Sequence, residues 1–165
     1  DHLARVISAY LDWSRFQTKP ATIENLFAIS LDELFTKIVG KRRIGCSQQI
    51  VYQCELNSVI FANQDEIMQL FTNLLDNAIK YSPKNSAINL KLAWPVVYIE
   101  NEGMPFPATV LERLGMPFNF GDSEMGFGLG LAWVLSICRK YKFESLIARV
   151  EERNRVSITF PTTPT

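Results

Sequence analysis

Residues 65–83 read DEIMQLFTNLLDNAIKYSP, the clearest helical pattern in the chain. Apolar residues recur there at spacings of three and four, which places them in one stripe along a helix. The stripe consists of Ile67, Leu70, Phe71, Leu74, Leu75 and Ala78. Ser82-Pro83 ends the pattern because proline cannot continue a helix. The sequence therefore predicts a helix from Asp65 to Tyr81 with one face on a core.

A polar stripe runs beside the apolar one on the same predicted helix. Its members are Gln69, Asn73, Asn77 and Lys80, spaced by four, four and three residues. Asparagine is a mediocre helix former, so two asparagines one turn apart require a reason. Paired amide oxygens suit Mg²⁺, and a lysine suits phosphate as a point charge. An ordinary solvated helix face is the competing interpretation.

The segments around this helix alternate between helical and strand patterns. We expect a helix over Leu31 to Val39 that Gly40 weakens or ends, and a final helix from about Gly128 to Tyr141. Three hairpins are also predicted, namely Gln49–Leu56 with Val59–Phe61, Ile88–Leu92 with Val96–Glu100, and Leu146–Val150 with Val156–Phe160. This order favours an α/β (α+β) two-layer sandwich, with a mixed sheet packed on about three helices.

The first residues form a separate predicted unit. Residues 1–18 follow an amphipathic helical pattern, residues 19–22 form a linker that contains Pro20, and the domain proper occupies residues 23–165. This helix looks like the C-terminal end of a longer helix, so we expect the chain to be part of a longer protein.

The charge balance and the cysteines limit the classes of function. Lys and Arg number 17, as do Asp and Glu, so no basic field argues for nucleic acid. Cys46, Cys54 and Cys138 lack metal-ligand spacing and lie among apolar neighbours, so all three are expected to be small buried hydrophobes in a reducing cytoplasm.

Two further segments carry candidate chemistry. Gly126, Gly128 and Gly130 alternate just before the last predicted helix, and such a junction presents backbone amides to an anion. Upstream, the strand that ends at Asn101 leads into Gly103, where a flat ring can approach the backbone. Flexible loop glycines and a plain strand-to-loop transition are the alternatives.

Taken in order, these segments resemble the Bergerat-type nucleotide fold of the GHKL superfamily, over essentially all of Ile23 to Phe160. Asn73 to Pro83 resembles the N box of sensor histidine kinases, and Asn101 to Pro107 resembles the first glycine box. Pro117-Phe118 resembles the F box, and Gly126 to Leu131 resembles the second glycine box. The first sixteen residues resemble the end of the second helix of the family's dimerisation and phosphoacceptor hairpin.

The resemblance implies an ATP site that uses Mg²⁺. Asn73 and Asn77 would hold the metal and phosphates, while Lys80 and Tyr81 would border the phosphates and ribose. Asn101 would accept a hydrogen bond from adenine beside Gly103 and Phe106. The lid would lie between Phe106 and Met125, with Phe118 near the nucleotide. The remaining implied contacts, around the triphosphate, are Gly126, Gly128, Leu129, Gly130 and Leu131.

The implied function is a protein-histidine kinase catalytic domain, relaying phosphate to a response regulator. The phosphoacceptor helix, a homodimer in the full-length protein and an inner-membrane sensor with this domain in the cytoplasm are also implied. His2, the only histidine, lacks the acidic residue that follows the family's acceptor, so the acceptor is expected outside this chain.

Some residues depart from the family pattern. Asn101 stands where the family usually has Asp, and its amide oxygen is a weaker acceptor than a carboxylate. Glu100 and Glu102 flank it, but strand alternation points them to the opposite side. Residues 114–127 contain no Lys or Arg, so the lid lacks cations. A degenerate module that binds nucleotide or a partner without catalysis, and a GHKL ATPase that performs conformational work, are the alternatives.

Overall fold

The computed structural model describes residues 1–18, 25–112 and 130–162. The predicted linker at residues 19–22 lies outside these ranges. The helices are α1 (His2–Thr18), α2 (Leu31–Arg43), α3 (Gln64–Tyr81), α4 (Ala108–Glu112) and α5 (Gly130–Tyr141). The strands are β1 (Phe27–Ser30), β2 (Gln49–Leu56), β3 (Val59–Ala62), β4 (Ala87–Ala93), β5 (Val96–Glu102), β6 (Glu144–Val150) and β7 (Arg153–Thr159).

The main sheet has five strands in the order β2-β4-β5-β7-β6. β2 and β4 run parallel, and the other neighbours run antiparallel, so the sheet is mixed. Helices α2, α3 and α5 bury their apolar residues in the same core as the sheet. The predicted two-layer α/β sandwich is confirmed.

The predicted pairing of β2 with β3 is wrong. β2 pairs with β4, and β3 pairs with β1 in a separate two-stranded sheet. The intervening Asn57-Ser58 is bonded to the start of α2 instead of closing a hairpin. The Leu31 amide donates to the Ser58 carbonyl at 3.1 Å, and the Asp32 amide donates to Asn57 Oδ1 at 2.9 Å.

The other two predicted hairpins are confirmed. In the first, Leu92 lies opposite Val97, and in the second, Val150 lies opposite Arg153. The turn of the second hairpin is Glu151-Glu152, where both residues have positive φ. The predicted strands Leu146–Val150 and Val156–Phe160 leave Asn154 to the turn, whereas in the structure it belongs to strand β7.

Helix α3 forms where its pattern predicted it. Asn63 caps its first turn, since Asn63 Oδ1 accepts from the Glu66 amide at 3.1 Å. At the other end, Gln48 Nε2 donates to the carbonyls of Ile79 and Ser82, both at 3.1 Å. These bonds satisfy groups that a helix end leaves without partners. Helix α2, by contrast, continues through Gly40 to Arg43 and does not end at the glycine.

Aromatic side chains join the helices to the sheet. Phe35 of α2 and Phe71 of α3 meet edge to face at 4.6 Å between ring centroids, and both are fully buried. Phe160 directly follows β7, and its ring centroid lies 6.2 Å from that of Phe71. Burying one such side chain contributes about 1.5–3 kcal/mol, so these contacts fix α2 and α3 on the sheet.

Helices α3 and α5 run antiparallel, and polar contacts join the start of α3 to the end of α5. Lys140 Nζ lies 2.7 Å from Glu66 Oε1, and the Tyr141 hydroxyl donates to Glu66 Oε2 at 2.5 Å. The same hydroxyl accepts from the Asn63 amide at 3.0 Å. Burial, together with the bond to Glu66, raises the pKa of Tyr141. Tyr141 therefore stays neutral and holds the start of α3 to the end of α5.

Helix α1 packs its last turns on α5. The rings of Phe16 and Trp133 lie 5.0 Å apart, and Gln17 Nε2 donates to Ser136 Oγ at 2.8 Å. Trp13 is buried against Ala132. Among residues 1–18, 25–112 and 130–162, no helix is both long and apolar enough to cross a membrane.

One of the three cysteines is buried as predicted. Cys138 is buried, and burial raises the pKa of its thiol to about 12. Cys46 is half-buried, whereas Cys54 is exposed on β2, so the expectation of three buried cysteines is wrong. β2 is an edge strand of the sheet, and the residues from Gln53 onward are exposed.

Candidate functional site

The two asparagines of the polar stripe lie one turn apart on α3, and Asn77 faces the start of α5. Both are half-buried, whereas Gln69 is exposed. A methyl group at Gly130 would lie 3.7 Å from Asn77 Oδ1 and 3.8 Å from its Nδ2. The fold therefore brings the second asparagine to the N-terminus of the last helix, where the end of the helix dipole is positive.

Asn73 carries a buried polar atom without a partner. Its Nδ2 has no hydrogen bond in the described structure. Leaving such a donor unpaired costs about 1–3 kcal/mol. A bound ligand that supplies a hydrogen-bond acceptor would remove this cost. An amide oxygen is also a hard ligand, so Asn73 and Asn77 would suit an Mg²⁺ ion.

A turn at Gly103 closes the other side of the site. Gly103 has φ of +142°, a conformation that side chains rarely adopt. A Cβ there would overlap the carbonyl oxygen of Tyr81 and lie 3.6 Å from Asn101 Nδ2. Only glycine lets the turn pack this closely on the end of α3.

Asn101 is buried on the inner face of β5, beside that turn. It is 5% exposed, and its Nδ2 donates to the Glu102 carbonyl at 2.9 Å. Because that bond occupies the donor side of the amide, the oxygen is the atom left to accept a hydrogen bond. Asn101 thus presents an acceptor, the chemistry expected of a residue that reads an amino group.

The two glutamates that flank Asn101 point to the outer face of the sheet. Glu100 Oε1 lies 2.6 Å from Arg155 Nη2, and Glu102 Oε1 lies 3.2 Å from Arg153 Nη2. Strand alternation accounts for this arrangement. Neither carboxylate is placed to substitute for Asn101.

Lys80, Tyr81 and Phe106 form the rim next to the Gly103 turn. The Tyr81 and Phe106 rings lie 5.6 Å apart, edge to face, and Lys80 Nζ lies 5.3 Å from the Tyr81 ring centroid. Burial lowers the pKa of Lys80, since it disfavours the charged ammonium. An anion bound nearby would offset that cost.

Of the remaining predicted residues, Leu131 and His2 lie in the described part of the chain. Leu131 is half-buried in the first turn of α5. His2 is exposed at the start of α1. Phe118, Gly126, Gly128 and Leu129 lie outside the described residues, as does most of the predicted lid.

Two residues near the site were missed by sequence reasoning. Asn154 of β7 lies directly opposite Asn101 and is 3% exposed. Arg149 of β6 lies opposite Asn154 in turn. Asn154 resembled a turn residue because it follows Glu-Glu-Arg, and the strand register alone reveals that it faces inward.

Residues 62–164, more than half of the chain, match the sequence model of the histidine kinase-, DNA gyrase B- and HSP90-like ATPase family. The sensor histidine kinase HprS of Escherichia coli is 29% identical over 120 residues, which are 69% of this chain and 26% of that protein. The sensor protein QseC of Salmonella typhi is 29% identical over 143 residues, 83% of this chain and 32% of that protein. The chain thus spans a third or less of the length of these relatives.

Solved structures have the same fold. The Acinetobacter baumannii histidine kinase AdeS superimposes with a TM-score of 0.72 at 18% identity, covering 98% of this chain and 81% of that one. At this identity the comparison concerns the fold alone.

Proposed function

The chain belongs to the histidine kinase-, DNA gyrase B- and HSP90-like ATPase family, and from that premise we propose that it is the ATP-binding catalytic domain of a sensor histidine kinase. In this proposal it transfers the γ-phosphoryl group of ATP to a histidine other than His2, for relay to a response regulator. The N-box string at residues 73–83 supports a kinase over the other branches of the family.

One observation carries the proposal: Asn77 of α3 meets Gly130 at the start of α5, with no side chain between them. The first turn of α5 offers backbone amides and a positive helix end, and α3 offers amide oxygens beside it. The unpaired Nδ2 of Asn73 adds a donor on the same helix face. This combination fits a metal–triphosphate group.

In this assignment, each residue has a positioning role. Asn73 and Asn77 would hold Mg²⁺, which would supply positive charge beside the phosphates, and the amides from Gly130 onward would hold the phosphates. Lys80 adds a positive charge at the rim. Asn101 accepts from the adenine amino group, while the Gly103 turn and Phe106 lie against the base. Phosphoryl transfer needs mainly such positioning and charge stabilisation, which a rigid two-helix site supplies.

The proposed partners follow from the same assignment. The phosphoacceptor helix belongs to the same protein, which forms a homodimer, and a response regulator is the final acceptor. The domain lies in the cytoplasm as part of an inner-membrane sensor. α1 supports the homodimer, because it leaves Leu3, Ile7 and Leu11 exposed along one side, where a partner helix would pack.

Titration calorimetry with ATP and ADP, with and without Mg²⁺, tests the proposal. We expect Mg²⁺ to tighten binding of wild type and Asn73→Ala to abolish most of that gain. Asp76→Ala is the matched control, because Asp76 lies on the same helix but forms an exposed ion pair with Arg42 at 2.6 Å. Equal binding by Asn73→Ala and wild type would refute the assignment of α3. A phosphotransfer assay on the intact protein then separates a kinase from a module that only binds nucleotide.

A further inference from the structure

Three polar residues on neighbouring strands form a row across the sheet, next to a row of apolar residues. Asn101 of β5, Asn154 of β7 and Arg149 of β6 are direct cross-strand neighbours. Opposite residues of antiparallel strands face the same side, so the three side chains share the inner face. The next row inward is apolar, with Ile99 opposite Val156 and Val156 opposite Ile147.

Asn154 and Arg149 bind the backbone that follows Asn101. Asn154 Nδ2 donates to the Met104 carbonyl at 2.8 Å. Arg149 Nη1 donates to Asn154 Oδ1 and to the Gly103 carbonyl, both at 3.0 Å. Two consecutive carbonyls of the Gly103–Met104 turn are therefore held from β6 and β7.

The side chains of the turn itself contribute little to holding its position. The Met104 side chain is 82% exposed, so it does not anchor the turn in the core. Pro105 follows and has no amide hydrogen to donate. The contact of Gly103 with Tyr81 limits movement toward α3. Among the described residues, the bonds from Asn154 and Arg149 draw the turn toward the sheet.

We propose that Asn154 and Arg149 are positioning residues for the nucleotide base: they hold the Gly103–Met104 turn so that the turn and Asn101 keep a fixed geometry toward adenine. The inference rests on the proposed function, because it assigns the base to this end of the site. It adds two residues on neighbouring strands that do not themselves contact the ligand.

The experiment measures ATP and GTP affinity for wild type, Asn154→Ala, Asn154→Asp and Arg149→Ala. A base-positioning role predicts that ATP binding weakens about 3- to 10-fold while GTP binding stays the same, because the phosphate contacts at Asn77 and Gly130 are untouched. Asn154→Asp keeps an acceptor for Arg149 and loses the donor to Met104, so it should weaken ATP binding less than Asn154→Ala does.

Hydrogen exchange of the ligand-free proteins tests the bonds themselves. The amides of Gly103, Met104 and Phe106 should exchange faster in Asn154→Ala and Arg149→Ala. Arg155→Ala is the matched control, since Arg155 lies next to Asn154 on β7 but bonds Glu100 on the outer face. That variant should change neither exchange at the turn nor the ratio of ATP to GTP affinity.

The outcomes separate this inference from the proposed function. If wild type does not bind ATP, both are overturned. If wild type prefers ATP and the variants keep that preference, the inference alone is overturned. An equal loss of ATP and GTP affinity together with a lowered melting temperature would assign Asn154 and Arg149 to general stability and would also overturn it.

Discussion

Replacing Gly130 by alanine should separate nucleotide binding from folding. The added methyl group would lie 3.7 Å from Asn77 Oδ1, which is an ordinary van der Waals distance. Among the described residues, no atom has to move in the ligand-free protein. Alanine is also a better helix residue than glycine, by up to about 1 kcal/mol. The variant should therefore be as stable as wild type or slightly more stable.

Nucleotide binding should respond in the opposite direction. The methyl group would fill the space between Asn77 and the first turn of α5, where the proposal places phosphate. Losing one hydrogen bond to a charged group costs about 1.5–3 kcal/mol, which weakens binding by about 10- to 150-fold. The Mg²⁺-dependent part of the affinity should fall most, because Asn77 is one of the two proposed metal ligands.

Gly40→Ala serves as the matched control. Gly40 lies inside α2 and a methyl group there meets nothing within 4 Å. It should raise the melting temperature by about 2–4 °C, as expected for about 1 kcal/mol in a domain of this size, and leave affinity unchanged. Differential scanning fluorimetry and calorimetry measure the two quantities. Wild-type affinity in Gly130→Ala would refute the phosphate site at α5, and a large loss of stability would refute the steric reasoning.

Three further predictions concern residues elsewhere in the site. Gly103→Ala should destabilise the protein by about 2 kcal/mol or more, because φ of +142° is strained for alanine and the methyl group overlaps the Tyr81 carbonyl, and thermal or urea unfolding measures the loss. Asn101→Asp should tighten ADP binding or leave it unchanged, since a carboxylate is the stronger acceptor; a clear loss in calorimetry would give Asn101 another role. With labelled ATP, the isolated chain should gain little acid-labile phosphate and His2→Ala should change nothing, whereas label that His2→Ala removes would make His2 the acceptor.

Local periodicity was sufficient to predict α1, α2, α3, α5 and most strands, but it predicted neither the five-residue α4 nor β1. The stripe from Ile67 to Ala78 identifies α3 because its burial is set by its own spacing. The pairing of the strands was harder to predict from the sequence. Residues 49–56 and 59–62 have strand character, yet two short strands close in sequence can pair with each other or with different partners. Here Asn57 caps the start of α2 through the Asp32 amide, a contact between residues 25 positions apart that periodicity does not encode.

Candidate site residues divide in the same way. Asn73, Asn77 and Gly103 were predictable because helix spacing or a glycine marks them within one segment. Asn154 was not, because its role depends on lying opposite Asn101, and the two are neighbours only through the register of β5 with β7. A shift of the final turn by one residue would point Asn154 outward, so its position beside Asn101 is a property of the sheet.

The geometry between Asn77 and Gly130 depends on contacts at the far end of the same helix pair. Glu66 meets Lys140 and Tyr141 at one end of the α3–α5 pair, and Asn77 meets Gly130 at the other. These contacts are separated by roughly 15 Å along the helices, at about 1.5 Å per residue. A slip of one residue would shift α5 by about 1.5 Å and turn its first residue by about 100°, which would carry Gly130 away from Asn77. The half-buried Glu66 contacts therefore help to hold the alignment of the proposed phosphate site without touching it.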